Sequence, residues 1–197
     1  QEGSMPAPLS PYAIGKYGGE LYARLKWRSF GRPVVIIRPF NAYGPYQSAR
    51  AVIAETIITC LQQREVITTS ATQTRDFNFV ENLVDAFLLA GTASGVEGET
   101  LNVGSGEEIS ILDLVHKIRD LSGSDSSVRV GGLADRDGEI MRMCADNAHV
   151  RDMLGWTPAV DLDTGLRQTI DWYREYLALF ESPESPLWRL AVDTTTQ

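Results

Sequence analysis

Apolar and polar positions along the chain fall into short continuous runs and helical stripes that alternate with one another. The first clear signal is a helix start, with Ser10 as N-cap and Pro11 at the first helical position. The helix is predicted to run from Pro11 to Ser29 and to stop at Gly31-Arg32-Pro33. Val34 to Ile37 is a continuous, largely β-branched run, the pattern of a strand buried on both faces of a parallel sheet. After Arg38-Pro39 a loop carries Asn41-Ala42-Tyr43-Gly44-Pro45. Helical signals return from Ala49 to Gln63, and Glu65 to Thr69 reads as a short strand. Asp76 to Val80 alternates polar with apolar, predicting a half-buried strand. Val80, Leu83, Val84, Phe87 and Leu88 then recur at helical spacing. Leu101 to Val103 and Val128 to Val130 read as further short strands. Ser110 to Asp113 opens a helix in the manner of a capping box, with Ile111, Leu114, Val115 and Ile118 on one face. A last helix is predicted from Asp163 to Leu179, with Leu166, Ile170, Tyr173 and Leu177 along one side. Strands alternating with helices predict an α/β fold.

Composition narrows the function classes. Hydrophobic residues are 43% of the 197, enough for a packed core. The formal net charge of −8 repels phosphate backbones and anionic lipid, which argues against nucleic acid and membrane surfaces as partners. An anionic substrate would need a local cluster of arginines. Cys60 and Cys144 are far apart and show no metal-ligand spacing, so they are expected to be reduced core thiols in a cytoplasmic protein. No apolar run is long enough to span a membrane. The opening residues Gln1 to Met5 show no basic region before an apolar core, so no signal peptide is expected, and the sequence reads as starting in mid-protein. His116 and His149 have no Ser, Cys or metal partner in view and are expected at the surface or at caps.

Candidate chemistry begins with Tyr12 and Lys16, which lie one helical turn apart on one face. A tyrosine ordinarily ionises near ~10, and an adjacent ammonium favours its phenolate. Such a tyrosine can act as a base toward a hydroxyl. By itself a Tyr-x-x-x-Lys spacing arises by chance in many helices.

The surroundings of the pair are more specific. Ser10-Pro11-Tyr12-Ala13-Ile14-Gly15-Lys16 resembles the active-site helix of the extended short-chain dehydrogenases/reductases, the NAD-dependent epimerase/dehydratase family, with Gly15 in place of the usual small hydroxyl residue. Arg38 to Pro45 resembles the R-x-x-N-x-Y-G-P loop of that family. Thr74 to Val80 resembles its R-D-F-x-Y-V element, and Leu101 to Gly106 its N-x-G-S-G turn. Asp146-Asn147 and Leu154-Gly155-Trp156-Thr157-Pro158 are similar to elements near its C-terminus. The matches fall in the family's order over about residues 10–180.

The resemblance implies one edge of a Rossmann-type parallel sheet plus a small α/β substrate-binding lobe. The implied division is residues 1–48 for the active-site helix, sheet and following loop, 49–182 for the lobe, and 183–197 for a tail. It implies Tyr12 and Lys16 as the catalytic pair, also in contact with NAD or NADP. Backbone at Pro39 and Phe40 would touch the nicotinamide. Asn41 would contact the sugar and diphosphate, and Arg75 and Arg142 would hold the diphosphate, as suits a permanently charged guanidinium fork, with Arg50 in the loop after Tyr43-Gly44-Pro45 a further substrate-binding candidate. The strand, G-x-x-G-x-x-G turn and helix that open family chains are not found, so the dinucleotide-binding half is expected from a separate chain or fragment. Homodimerisation is expected as well. The implied activity is a nucleotide-diphosphate-sugar 4,6-dehydratase working through transient oxidation at C4. The alternatives are a nucleotide-sugar 4-epimerase and a non-catalytic nucleotide-sugar-binding lobe.

Overall fold

A computed structural model describes residues 1–136 and 138–180. The expected tail at 183–197 lies outside the described residues. Helix α1 spans Pro11–Phe30. The Ser10 hydroxyl accepts the Ala13 N–H at 3.1 Å, and Gly31 closes the helix in the left-handed conformation at φ 59°, where a Cβ would be strained. Strand β1 is Ile36–Pro39 and β2 is Ala42–Tyr43. Then come α2 (Val52–Leu61), β3 (Val66–Ile67), β4 (Thr74–Arg75) and β5 (Asn78–Phe79). They are followed by α3 (Val80–Thr92), β6 (Thr100–Val103), β7 (Ile109–Ser110) and α4 (Ile111–Ser122). The chain continues with β8 (Val128–Arg129), β9 (Arg142–Met143), α5 (Ala148–Leu154) and α6 (Leu162–Glu175). A 3-10 turn at Leu177–Phe180 ends the described part.

The chain divides into two compact units. The first contains Gln1–Ala42, Asp76–Glu108 and Met143–Ala159. In it β1 pairs in parallel with β6, with Ile36 opposite Thr100 and Pro39 opposite Val103. Its core is Leu83, Ala86, Leu101, Val103, Val150 and Trp156, with Val35, Ile37, Met153 and Leu154 packed against it. The Trp156 indole N–H donates to the Asn82 carbonyl at 3.0 Å, so the ring is buried with its one polar atom satisfied.

The second unit contains Tyr43–Arg75, Ile109–Arg142 and Val160–Gln197, the last described to residue 180. Helices α2, α4 and α6 pack together around Ile53, Ile57, Leu114, Ile118, Leu166 and Ile170. Each such side chain contributes about 1.5–3 kcal/mol by leaving water. The hydroxyl of Ser110 accepts the Asp113 N–H at 3.0 Å, which caps α4 as its sequence predicts. Strands β3 and β8 pair in parallel, and β4 pairs antiparallel with β7.

Several expectations need correction. The strand predicted over Val34–Ile37 begins two residues later and is half-buried, because its sheet consists of β1 and β6 alone among the described residues. Residues Asp76 to Phe79 do not alternate: all four are buried. In α3 the buried stripe is Leu83, Ala86 and Ala90, while Val84, Phe87 and Leu88 are exposed. Leu83 and Ala86 of this stripe join Leu101 and Val103 of β6 in the core. Cys60 is buried, but Cys144 is only half-buried, and both are free thiols. Helix α5 was not anticipated, since seven residues make only about two turns and leave no room for a helical stripe to repeat.

Candidate active site

Helix α1 presents Tyr12 and Lys16 together. Both are exposed, Tyr12 to 73%, and the Lys16 ammonium lies 5.6 Å from the centre of the Tyr12 ring. The next residue on that stripe, Glu20, faces inward. Its carboxylate accepts Arg38 at 2.8 and 2.9 Å and Arg24 at 3.0 and 3.1 Å. Hydrogen bonding to Arg38 holds the Glu20 carboxyl below its usual range, outweighing the opposing effect of burial.

Strand β1 delivers the second group of residues. Phe40 N–H donates to the Val103 carbonyl at 2.9 Å, so the backbone bond to the β6 strand is kept as the chain leaves the sheet. Pro39 is exposed, and Phe40 and Asn41 are half-buried. Asn41 is fixed by Asp76: its Nδ2 donates to the Asp76 carbonyl at 2.8 Å. The Asn41 carbonyl in turn accepts the Asn78 N–H at 3.0 Å. That geometry leaves Asn41 Oδ1 as the acceptor of the pair.

Asp76 itself is the residue that sequence reasoning missed. It is fully buried. One carboxylate oxygen accepts the Ser105 N–H at 2.9 Å and the Ser105 hydroxyl at 2.7 Å. The other accepts the Gly106 N–H at 3.0 Å and the Ala145 N–H at 3.1 Å. Four donors around one carboxylate satisfy a charge that would otherwise be costly to bury. Asn147 completes the turn by donating to the carbonyls of Gly104 and Ser105 at 3.1 and 3.0 Å. The only signal in the sequence is an Asp between Arg75 and Phe77 together with a Gly-Ser-Gly turn after a short strand.

In the second unit, Arg75 is largely buried, with 13% of its side chain exposed. Its guanidinium donates to the carbonyls of Thr74 and Ile140 at 2.7 and 2.6 Å and pairs with Glu139. Arg142 lies on β9, next to the β4 strand that carries Arg75, and is exposed. Arg50 is exposed in the loop before α2. His149 is half-buried on α5 beside Glu99 at 3.0 Å, and His116 is half-buried on α4. Among the described residues no helix is long and apolar enough to cross a membrane.

The family model described as GDP-mannose 4,6 dehydratase matches residues 1–169. The chain belongs to the NAD-dependent epimerase/dehydratase family. Among family members it is 32% identical to the dTDP-D-glucose 4,6-dehydratase of Mus musculus over 192 residues, 94% of this chain and 54% of that one. It is 33% identical to the UDP-glucose 4-epimerase of Mycolicibacterium smegmatis over 173 residues, 85% of this chain and 54% of that one. The solved UDP-glucuronic acid 4-epimerase from Bacillus cereus, in complex with UDP-glucuronic acid and NAD, superposes with a TM-score of 0.83 at 30% identity. That superposition covers 89% of this chain and 56% of the epimerase. The fold is therefore the family's Rossmann-type α/β architecture, and the chain spans about half the length of the curated relatives it matches.

Proposed function

We propose that this chain supplies the base and the substrate-binding residues of an NAD(P)-dependent nucleotide-diphosphate-sugar 4,6-dehydratase. The observation that carries the reading is the Tyr12–Lys16 pair, exposed together on one face of α1. The donor set suits a nicotinamide nucleotide: among the described residues no carboxylate pairs with the exposed Lys16, whose ammonium stands beside the Tyr12 ring. Lys16 and the backbone at Pro39 and Phe40 would hold that nucleotide, which when bound supplies a two-electron acceptor at C4 of the sugar.

This chain's own residues serve the oxidation at C4; loss of the C6 hydroxyl as water and return of the hydride to C6 need acid–base groups beyond these. Tyr12 takes the proton from the C4 hydroxyl as C4 is oxidised. Lys16 would donate to the ribose of the bound nucleotide, and it keeps a positive charge beside the phenol. Asn41, with Nδ2 committed to Asp76, offers Oδ1 to a sugar hydroxyl. Arg75, Arg142 and Arg50 bind the diphosphate, and Arg75 does so while sharing its guanidinium with Glu139. The activity requires the dinucleotide-binding half that family chains carry, on the same polypeptide or a second one, and the working form is a homodimer in the cytoplasm.

A 4-epimerase is the second reading, favoured by the 33% identity to the Mycolicibacterium smegmatis enzyme, which is as high as the 32% to the Mus musculus dehydratase. Incubation of the native-length protein with dTDP-, GDP- and UDP-sugars separates the two. A 4-keto-6-deoxy product absorbs at alkaline pH, whereas a 4-epimer does not. Tyr12→Phe is expected to lower turnover by at least ~100-fold with the protein still folded, the scale of lost acid–base catalysis. Full turnover by that variant would refute the reading. Nucleotide-sugar binding without turnover of any sugar would point instead to a non-catalytic lobe.

A further inference from the structure

Tyr12 and Lys16 stand on a longer stripe. Glu20 and Arg24 continue it at the same spacing of four residues, so the four side chains follow one another along α1. The two exposed members carry the proposed chemistry. The next two are turned to protein.

Glu20 is the junction. Only 10% of its side chain is exposed, and its two oxygens take four N–H donors from Arg24 and Arg38. Arg24 reaches past it to the Thr100 hydroxyl of β6 at 2.8 Å. Arg38 belongs to β1, and the next three residues are Pro39, Phe40 and Asn41. Glu20 thus ties the helix to β1, and Arg24, from the same helix, ties it to β6. None of the 20 residues of α1 is fully buried, and its apolar contact is limited to half-buried side chains such as Trp27 against Gly98.

We propose that Glu20 is a positioning residue, whose two-pronged bond to Arg38 sets the register between the helix bearing Tyr12 and Lys16 and the strand that leads into Pro39, Phe40 and Asn41. The inference rests on the assignment of Tyr12 and Lys16 as the catalytic pair. Two parallel N–H bonds to one carboxylate fix direction and rotation, which a single bond or a diffuse apolar contact does not. Shifting a catalytic group by 1 Å can cost about 100-fold in rate without any loss of binding groups. Glutamine in place of Glu20 keeps the size but loses the charge and half of the accepting capacity.

The test uses the native-length protein with Glu20→Gln, Arg38→Lys and Tyr12→Phe. Turnover, KM for the nucleotide sugar and the folded fraction are measured for each. Glu20→Gln is expected to lower kcat by about 10- to 100-fold while KM stays within about twofold, since the diphosphate contacts are untouched. Arg38→Lys, which keeps the charge but not the fork, is expected to lower kcat by a smaller factor in the same pattern. A folded Glu20→Gln protein with wild-type kcat overturns the positioning role. If that variant does not fold, wild-type kcat in Arg38→Lys overturns it. Wild-type turnover by Tyr12→Phe defeats the catalytic pair itself, whereas a dead Tyr12→Phe beside an unimpaired Glu20→Gln defeats only the role of Glu20.

Discussion

Gly104 lies against the Asp76 carboxylate so closely that a Cβ at residue 104 would sit 2.6 Å from Asp76 Oδ2 and 2.5 Å from the Ala145 Cβ. This contact joins the turn after β6, the segment after β4 and the segment after β9 within the first unit. The same Asp76 also provides the carbonyl that holds Asn41.

Gly104→Ala is therefore expected to destabilise the protein by about 1–3 kcal/mol, the usual cost of overpacking a tight site. Gly15→Ser is the matched control. Nothing lies within 4 Å of a Cβ at Gly15, which stands in a helix, so that change is expected to be neutral or stabilising by a few tenths of a kcal/mol, ~0.3. Urea unfolding of the two variants checks both.

Asp76→Asn replaces one accepting oxygen by an NH2 group that faces N–H donors. The expected loss is about 2–3 kcal/mol, larger than for a neutral hydrogen bond because a charged acceptor is removed and buried donors are left unpaired. Hydrogen exchange should show the Ser105, Gly106 and Ala145 amides losing protection first, since these three donate to the carboxylate.

Glu20 predicts an acid limb in stability. Its folded-state pKa lies below the ordinary value of 4.5 because Arg38, and to a lesser degree Arg24, hydrogen-bond the charged form. The unfolded chain therefore binds the proton first. The contribution is fully present above the unfolded value and is lost as pH falls through the folded one. Thermal midpoints measured from pH 7 to about 3 should fall less steeply in Glu20→Gln than in the parent.

Tyr43 and Tyr173 predict an alkaline limb. Burial pushes both phenols well above the ordinary value of 10.0, and each hydroxyl donates to a carbonyl, Leu162 for Tyr43 at 3.1 Å and Gln47 for Tyr173 at 2.6 Å. In the unfolded chain they ionise near ~10, so stability declines as pH rises past that point. Titration at 295 nm should show these two tyrosines ionising only with unfolding. Tyr173→Phe should lose about 1 kcal/mol for its hydrogen bond.

The helices were legible where local chemistry decides them. Ser10-Pro11 and Gly31 bound α1, and Ser110 with Ile111, Leu114, Val115 and Ile118 defines α4, because caps and a 3.6-residue stripe are properties of neighbouring residues. The placing of Lys16 over the Tyr12 ring followed from the same spacing. Residues 76–79 misled, since an alternating pattern says nothing of a buried carboxylate whose partners lie at 105, 106 and 145. The face of α3 misled too, because its buried positions include the small residues Ala86 and Ala90 while the larger Val84, Phe87 and Leu88 are exposed.

Taken alone, the order of residues determined the α/β class, the first helix with its Tyr–Lys pair, and family membership, all of which rest on short-range periodicity and on motifs read in sequence. Only the tertiary structure decided that Asp76 holds Asn41 and the Gly104–Gly106 turn, that Glu139 shares Arg75, and that Glu20 bridges α1 to β1. Such bonds join groups from 18 to 69 residues apart, and hydrogen bonding depends on a few tenths of an ångström that no linear pattern encodes.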